Sequence, residues 1–369
     1  MNASTTTRRR FLEIMGVSAA AGIAAACAPA AAPSAAPSTA ASAAASAKAS
    51  ATARPVSIVK ITDIQITSAA GSYIAADRGY FKDEGIDPQF LPMGAGDQIT
   101  ALVSGTADVA GSVITAQLYN ALGRGLSLKM VGDHGSNLKN ASAGGVVVRK
   151  DLADSGQWKG PADLKGKKVA LALVDAVSEI DMYKYLQQAH LTWKDVDQIV
   201  LGFPEQLAAF ANKSLDYAYG QEPFTTNGVA KKICVRGPIG YDLYPGQQIA
   251  ALTFGQKLYA DKQLTLAYLR AYVRGARDYV KALIDKDKAT FDIVVPILVK
   301  HTSMKDPTLY STTIPSGLKP DPLVNEKSVT DDLQYFIDKG SVKQKYDIAP
   351  FIDNGPVKQV IQALGPYTK

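Results

Sequence analysis

The chain has 369 residues, a formal net charge of +6 and 47% hydrophobic residues, which is typical of a globular protein. Its charges are interspersed, without the basic stripe that marks nucleic-acid-binding domains. Only Cys234 lies in the part that we expect to fold, so no internal disulfide is predicted. The histidines His134, His190 and His301 are far apart and have no partner at ligand spacing, so no metal site and no cofactor are predicted.

Residues 1–27 predict an export signal. Arg8 to Arg10 form a charged start, and the following apolar run is shorter than the roughly 20 residues that span a bilayer. The order T-R-R-x-F-L matches the twin-arginine (Tat) pattern; an ordinary signal that happens to begin with arginines is the alternative. The small residues before Cys27 resemble the lipobox of bacterial lipoproteins, although Ala24 stands where that pattern prefers Leu. A plain cleavage site beside a spare cysteine is the other interpretation.

Residues 28–54 consist almost entirely of Ala, Ser, Pro and Thr, a composition that cannot form a packed core. We interpret them as a disordered linker that lets a folded domain stand off the membrane, the alternative being a tail without purpose. A lipid on Cys27 would then hold the protein on the extracytoplasmic face, in the periplasm or at the outer cell surface.

The chain from residue 55 alternates strand and helix signals. Val56 to Ile66 alternates apolar and polar residues and predicts a strand, and a helix follows from Tyr73 to Arg78, ended by Gly79. Asp97 is predicted to cap the helix that Gly105 ends. Further strands are predicted in "IDPQFLPM", "ADVAGSV", "LSLKMVGD" and "GGVVVRKD". This β-α-β order predicts a parallel or mixed sheet covered by helices.

The same order then repeats. Strands are predicted in "KKVALAL", "VDQIVLG", "LDYAYG" and "ICVRG", with a helix from Ser178 to His190 between the first two. From Lys262 the chain is mainly helical, and one apolar stripe recurs at spacings of three or four in Leu269, Tyr272, Val273, Ala276, Val280 and Leu283. The sequence thus predicts two α/β units in tandem, followed by packing helices.

The sequence contains no strong catalytic motif. The chain contains no G-x-S-x-G elbow and no phosphate loop, and "GAGDQI" departs from the dinucleotide fingerprint at its third glycine. Asp175 and Glu179 have the chemistry of an acid/base pair, but carboxylates at that spacing around a helix start more often serve as caps. We therefore do not predict an enzyme.

Loops rich in glycine or small polar residues recur between a strand end and a helix start: "TSAAGSY", "MGAGDQ", "AGSVIT", "VDAVSE", "GFPEQ" and "GQEPF". Each places free backbone N–H groups at a helix N-terminus, and ligands of open α/β sheets bind outside the carboxyl ends of the strands. Loops from two units would face each other across a cleft. Ordinary β-α connections without a ligand are the alternative.

The stretch "YIAADRGYFKDEGIDPQFLPMGAGDQITALVSGTADVAGS" resembles the opening of the solute-binding proteins of ABC importers, in the group that handles sulfonates, taurine, nitrate and thiamine pyrimidine precursors. "LKGKKVAL", "EPF" and "LRAYVRGARDYVKAL" also fit that pattern. The resemblance implies a two-lobe type II periplasmic-binding-protein-like fold, each lobe a mixed sheet flanked by helices. Lobe one would comprise residues 55–148 and 250–369, and lobe two residues 149–249. "GYFKDEG" would be scaffold rather than binding site.

The resemblance and the loops select the same ligand-binding residues. In lobe one these are Ser68, Tyr73, Gly94, Gly96, Asp97, Gln98, Ser112 and the stretch from Asp133 through His134 and Ser136 to Asn137. In lobe two they are Asp175, Ser178, Glu179, Glu205, Gln206, Glu222, Phe224 and Tyr241. Tyr73 and Phe224 would form apolar walls or belong to the core, and Glu222 would accept from a ligand amine or brace the hinge.

The resemblance implies a monomer that captures a solute and delivers it to a permease and an ATPase subunit. The proposed loops hold no Arg or Lys but several carboxylates, which oppose a bare anion and suit a ligand with amine or amide donors. We therefore predict a sulfonate, preferably an aminosulfonate such as taurine, or a thiamine-precursor-like pyrimidine. The alternatives are an enzyme like those that synthesise the thiamine pyrimidine, although this chain lacks their cysteine cluster, and a ligand-sensing domain.

Overall fold

The computed structural model describes residues 55–142 and 144–369. The predicted export signal, Cys27 and the predicted linker of residues 28–54 lie outside the described residues. The described part is built from strands β1 to β10, which are Ser57–Asp63, Ile86–Pro92, Val109–Val113, Lys129–Ser136, Gly144–Arg149, Lys168–Leu171, Asp197–Val200, Tyr217–Gln221, Cys234–Ile239 and Gln248–Phe254.

The strands form two five-stranded sheets of the same topology. The first has the order β2-β1-β3-β10-β4, and the second has the order β7-β6-β8-β5-β9. In the first sheet β10 runs antiparallel to β3 and β4, and in the second β5 runs antiparallel to β8 and β9. Each sheet is therefore mixed, and its antiparallel strand is the one that the chain forms directly after it leaves the other sheet.

Helices cover both sheets. Helices α1 to α14 are Ala70–Asp77, Tyr80–Asp83, Ala95–Ser104, Ala116–Gly123, Lys150–Asp154, Val177–Gln187, Phe203–Ala211, Phe224–Ala230, Gly240–Leu243, Gln256–Ala260, Lys262–Tyr279, Lys288–His301, Glu326–Lys339 and Gly355–Leu364. Val280–Ile284 continues α11 as a π-helical turn. Within the described residues, no helix combines the length and apolarity needed to cross a membrane.

The first sheet has an apolar core on each face. One core joins β1 and β3 to α1, α11 and α12, and it contains every residue of the predicted apolar stripe from Leu269 to Leu283. The other core lies under α3, α4 and α13 and also includes Val177 and Ile180 of α6. The second sheet has two smaller cores of its own. The sequence period of the stripe thus predicted the buried face of α11 correctly.

The stretch "GYFKDEG" lies on the outside of the first sheet, away from the other sheet's strands. Phe81 is fully buried in the core, while Glu84 and Asp83 form ion pairs with Arg270 and Arg274 of α11 at 2.6 and 2.9 Å. Gly79 and Gly85 both have φ above +70°, as the turns at the ends of this short segment require. These contacts give the stretch a packing role.

Several predicted boundaries differ from the structure. The strand predicted for Val56 to Ile66 ends at Asp63, because the Asp63 side chain accepts a hydrogen bond from the N–H of Gln65, which has a φ of 55°. A 3₁₀ turn over Thr67–Ala69 then leads into α1. Asp97 is not the N-cap of α3; Gly94 occupies that position, and Asp97 lies in the first turn.

The predicted lobe boundaries also need correction at the connections between the sheets. Residues 144–148 were assigned to the first lobe, but they belong to β5, which pairs with β8 and β9 of the second sheet. In the other direction β10 begins at Gln248 and pairs with β3 and β4 of the first sheet, two residues before the predicted return. The sheet with which a segment pairs, rather than chain order alone, decides to which lobe it belongs.

Candidate ligand-binding site

A cavity of about 280 Å³ lies between the two sheets. The side of the first sheet contributes the loop after β1, the start of α3, and parts of β3, β4 and β10. The side of the second sheet contributes the loop after β6, the start of α6 and α7, and the end of β8. These are the carboxyl ends of parallel strands and the following helix starts, where α/β proteins bind ligands.

Asp63 is the charged residue that the first sheet presents to this cavity, and it is almost completely buried. Its Oδ1 accepts hydrogen bonds from the Tyr73 hydroxyl and from the Gln65 N–H, the latter at 2.6 Å. Its Oδ2 is buried and has no hydrogen-bond partner among the described residues. Burial raises the pKa of Asp63, against hydrogen bonds from Tyr73 and Gln65 that lower it. Oδ1 therefore orients the carboxyl group, while the acceptor capacity of Oδ2 is unused.

His134 lines the cavity as a neutral ring. The Tyr272 hydroxyl donates its proton to the Asp133 carbonyl at 2.7 Å, so His134 Nδ1 must be the donor in its 3.3 Å contact with Tyr272. Burial lowers the pKa of His134 to about 4. A neutral ring that carries its proton on Nδ1 leaves Nε2 as an acceptor. Nε2 lies against Gly111, where an added Cβ would be 2.1 Å away, and Gly111 itself lines the cavity.

The second sheet contributes mainly apolar surface. Leu173 and Phe203 line the cavity, and the Phe203 ring stacks on Phe224 with centroids 5.6 Å apart. The polar groups on this side are Ser178, Tyr219 and Gln221. The Tyr219 hydroxyl is committed to Asp181, to which it donates at 2.7 Å. Among the described residues that line the cavity there is no lysine or arginine.

Of the residues selected from the sequence, the structure brings Ser68, Gly96, His134 and Ser178 together at this cavity. Ser68 lies in the turn after β1, Gly96 in the first turn of α3, His134 in β4 and Ser178 in the first turn of α6. The predicted loops therefore lie at the edge of both sheets that borders the cavity. The sequence did not identify which side chain of each loop faces the cavity.

The other candidates of the first sheet lie elsewhere. Tyr73 is a core residue, held by Asp63 and stacked on His301 with centroids 4.6 Å apart. Gly94 and Asp97 are exposed, whereas Gln98 and Ser112 are buried with side-chain atoms that lack partners in the described part of the chain. Ser136 donates to buried Asp133, and Asn137 bonds Asp181 and Gln247 between the sheets. None of these lines the cavity.

Three of the four carboxylates predicted for the second lobe, Asp175, Glu179 and Glu222, are occupied by protein groups. Asp175 and Glu179 both contact Lys339, and Glu179 also accepts from the N–H of Asp175 at 2.7 Å. This supports the cap interpretation over the acid/base pair. Glu205 is exposed in the first turn of α7, and Gln206 donates to the Leu201 carbonyl at 3.0 Å.

Glu222 braces the second sheet. It is buried, pairs with Arg236 at 2.6 Å, and accepts from the N–H and hydroxyl of Thr226 at 3.0 and 2.7 Å. Phe224 reaches the cavity only through its stack on Phe203. Tyr241 lies outside the cavity lining, with its N–H bonded to Ser142 Oγ at 3.1 Å.

Several residues that line the cavity were not predicted from the sequence: Asp63, Gly111, Phe203, Tyr219 and Gln221. The available signal was position, since Asp63 and Gln221 are the last residues of β1 and β8. The loop "GQEPF" includes Gln221, whereas the loop "TSAAGSY" begins at Thr67, four residues after Asp63. An acidic residue that ends a buried strand is therefore as good an indicator of the cavity edge as the loop that follows it.

A second cavity of about 520 Å³ adjoins the first, and the two share Ala95, Gly96 and Leu173. Its lining includes Arg124 and Lys343, both exposed and both without an ion-pair partner among the described residues, together with Asp175. Cationic side chains are therefore present beside the main cavity but not in its described lining. In residues 55–142 and 144–369 no cluster of three or more His, Cys, Asp or Glu side chains forms a metal site.

The fold matches known structures along nearly their whole length. The alkanesulfonate-binding protein SsuA from Xanthomonas axonopodis pv. citri, bound to MOPS, aligns with a TM-score of 0.64 at 15% identity, covering 81% of this chain and 99% of that one. The periplasmic nitrate-binding protein NrtA from Synechocystis PCC 6803 aligns with a TM-score of 0.69 at 16% identity, covering 84% and 89%. The predicted type II periplasmic-binding-protein fold is thus confirmed.

An enzyme shares this architecture. The desulfurization enzyme DSZB aligns with a TM-score of 0.60 at 13% identity, covering 84% of this chain and 99% of that one. A sequence comparison with curated proteins gives no significant match. The model of the family described as "NMT1/THI5 like" matches residues 66–282, more than half of the chain. The chain belongs to the NMT1/THI5-like family.

Proposed function

We propose that this protein is the solute-binding component of an ABC importer, which captures a small organic solute and delivers it to a membrane permease. The observation that carries the proposal is the cavity between the two sheets, lined by strand ends and helix starts of both. Two mixed sheets joined by paired crossings allow hinge closure around a ligand. The family and the binding proteins of the same fold support this assignment.

The sequence predicted a ligand with hydrogen-bond donors from the carboxylates of the loops, whereas the structure supports such a ligand through Asp63. Those loop carboxylates do not line the main cavity: Asp97, Asp133, Asp175, Glu179, Glu205 and Glu222. Asp63 does line it, and Lys and Arg are absent from its described lining. We therefore keep an aminosulfonate or an aminopyrimidine as the solute, with Asp63 in place of the loop carboxylates.

The adjoining cavity separates these two candidates. A pyrimidine would occupy the main cavity alone, whereas the sulfonate of an aminosulfonate would reach a cation of the adjoining cavity, Arg124 or Lys343. Calorimetric titration with taurine, alkanesulfonates, nitrate and the thiamine pyrimidine tests both. Arg124→Met should weaken taurine and leave the pyrimidine unaffected. Tight nitrate binding without any response to the amines would overturn the preference.

Cys234, the cysteine of the described residues, does not have the properties of a catalytic thiol. Its side chain is buried beside the sheet, and burial raises its pKa to about 11, so it is a poor nucleophile at neutral pH. A DSZB-like activity would have to use other groups. Assays with sulfinate substrates, monitored for sulfite release, would detect it.

We also propose that the protein is exported and lipid-tethered through Cys27, which supports capture close to the permease. Metabolic labelling with palmitate should mark the wild-type protein and not Cys27→Ala, and the variant should appear in the soluble extracytoplasmic fraction. Labelling that persists in the variant would contradict the anchor. Replacing Arg8 and Arg9 by Lys tests the twin-arginine route, and export that is unchanged would contradict it.

A further inference from the structure

Helix α6 of the second lobe packs directly on helix α13 of the first. Val177 and Ile180 of α6 belong to the same apolar core as Val329, Leu333 and Phe336 of α13. Burial of this shared surface holds the two helices together, and it is lost when they move apart. A group that changes the free energy of this contact therefore changes the balance between a closed and an open form of the protein.

Each of the two helices also buries a carboxyl group beside this core. Asp181 of α6 and Asp332 of α13 are at most 1% exposed. Two amide side chains lie between them, Asn137, which follows β4, and Gln247, which precedes β10. Asn137 Nδ2 donates to Asp181 Oδ2 at 3.1 Å and to Gln247 Oε1 at 3.2 Å, and Gln247 Nε2 lies 3.4 Å from Asp332 Oδ1. One chain of polar groups thus joins the two carboxyl groups through both connections between the sheets.

This buried cluster has more acceptors than donors. Asp181 Oδ1 and Asn137 Oδ1 are buried and have no hydrogen-bond partner among the described residues. The bonds that reach Asp332, from Gln247 at 3.4 and 3.5 Å and from Ser328 at 3.4 Å, are all long. A proton on either carboxyl group turns one acceptor into a donor and removes a charge that burial disfavours. The contact between the helices therefore favours a protonated cluster.

The surroundings of the two carboxyl groups do not supply two balancing charges. The titratable groups that face them come from every element packed on them: Tyr219 of β8, Tyr119 of α4, Tyr244 just before Gln247, Asp331 of α13 and Lys184 of α6. The three phenols stay neutral near pH 7, because burial raises their pKa above the usual value. Lys184 is the cation of this set, and its ammonium group lies 4.4 Å from the centroid of the Tyr244 ring. A single positive charge cannot balance both Asp181 and Asp332.

The sign of the pH dependence follows from this burial. Burial raises the pKa of Asp181 to about 7, and it raises the pKa of Asp332, which the charge of Asp181 raises further. An aspartate that separation of the helices exposes to water would titrate near its ordinary value of about 4. The packed helices therefore hold the proton more tightly than the separated helices do. The resulting advantage of the packed form is complete below about pH 4 and is lost as the pH rises through about 7.

We propose that Asp181 and Asp332 form a proton-operated latch between the two lobes. With a proton in the cluster, α6 stays on α13 and the cavity is held closed. When that proton passes to water, the two carboxylates repel each other, α6 separates from α13 and the cavity opens. The inference rests on the proposed solute-binding function, because it requires lobes that close around the cavity, and it adds control of this closure by the external pH.

Pulsed electron paramagnetic resonance measures the separation of the two helices without any solute. Spin labels at Gln187→Cys of α6 and Thr330→Cys of α13, both exposed positions, report this distance in the full chain carrying Cys27→Ala. The remaining thiol, Cys234, is buried. A short distance is expected at pH 5, and a longer one should become populated between pH 6 and pH 9. The ratio of closed to open form should fall by up to about 10-fold per pH unit for one released proton.

The double variant Asp181→Asn with Asp332→Asn removes the titration. Asparagine keeps an oxygen that can accept from Tyr219 and from Gln247, so the fold should persist, and an unchanged melting temperature at pH 5 checks this. The short distance should then remain the main one up to pH 9. Asp338→Asn removes an exposed carboxylate of the same helix and is the matched control, which should keep the wild-type transition.

The inference is overturned if the distance in the wild type is the same at pH 5 and pH 9, or if the double variant keeps the transition. Loss of the transition in Asp338→Asn as well would make the effect one of overall charge and would also contradict the latch. None of these results bears on solute capture, because no solute is present. A chain that shows the transition but binds no solute at any pH would refute the proposed function and leave the latch in place.

Discussion

Lys339 Nζ lies 2.8 Å from Asp175 Oδ1 and also contacts Glu179, which joins the end of α13 to the loop after β6. The loop is held further by hydrogen bonds from the Ala116 N–H to the Asp175 carbonyl at 2.9 Å and from the Val177 N–H to the Ile114 carbonyl at 3.2 Å. Burial raises the pKa of Asp175, but hydrogen bonds from Lys339 and Ser341 hold it below its usual value. This contact therefore ties the second sheet to a helix that packs on the first.

Lys339→Met should favour the open form, because Glu179 is fully buried and loses its counter-ion. We expect about 10-fold weaker solute binding, mainly through faster release, and faster amide exchange at Ala116 and Val177. Stopped-flow dissociation and hydrogen exchange measure the two effects. Lys327→Met on the exposed side of the same helix removes only an i,i+4 pair with Asp331 and is the matched control. Equal exchange in both variants would contradict the prediction.

A buried carboxyl group between the sheets makes stability depend on pH. Asp181 accepts from Tyr219 and Asn137, but burial raises its pKa to about 7. Since the folded state holds the proton more tightly than the unfolded chain, this contribution is complete below about pH 4 and is lost as the pH rises through about 7. Asp332, whose pKa burial also raises, acts in the same direction.

Asp181→Asn removes this titration, so its free energy of unfolding should fall less between pH 4 and pH 8 than that of the wild type. At pH 8 the variant should be the more stable of the two, by a few kcal/mol at most. Urea denaturation across this pH range measures the difference. Parallel curves for the two proteins would show that Asp181 does not titrate as described.

Substitution of Arg236 distinguishes a structural role of Glu222 from a role in ligand binding. Arg236→Leu leaves the buried Glu222 carboxylate without its ion pair, and we expect a loss of about 3 kcal/mol in the free energy of unfolding. Solute affinity should not change, because neither residue lines the main cavity. Lys288→Met, in an exposed i,i+4 pair, should cost less than 1 kcal/mol. A loss of solute affinity without a loss of stability would indicate that Glu222 contributes to solute binding.

Gly275 allows α11 to cross α1 closely. A Cβ at this position would lie 2.1 Å from the Gly71 carbonyl oxygen and 2.9 Å from the Ala75 nitrogen. Gly275→Ala should therefore destabilise the protein by about 1–3 kcal/mol, although alanine is the better helix former. Gly160→Ala, where no atom lies within 4 Å of the added Cβ, is the control. Thermal denaturation of both variants measures the contrast, and equal melting temperatures would contradict it.

Local features of the sequence were predicted well. Gly79 and Gly105 end helical segments with φ of 76° and 73°, and the stripe on α11 is buried throughout. The order of strands and helices indicated two α/β units, and two sheets of identical topology are present. Such signals survive in a single sequence because caps and hydrophobic periods depend on neighbours within a few residues.

The candidate site was predicted only in outline. The loops indicated the edge of each sheet at which the cavity lies, but several of their carboxylates contact protein groups on other elements. Asp175 meets Lys339 across 164 residues, and Glu222 meets Arg236 on another strand. No spacing rule in the sequence marks these pairs, because each forms only when separate elements pack.

The sequence by itself determined the alternation of strands and helices, the buried face of α11 and the family, since these follow from local periodicity and from residue patterns. Only the tertiary structure decided which carboxylate lines the cavity. Tyr73 and Gln65 use one oxygen of Asp63 and leave the other unpaired, while Lys339 occupies Asp175 and Glu179. The same functional group thus forms an ion pair or keeps an oxygen unpaired according to the partners that folding brings to it.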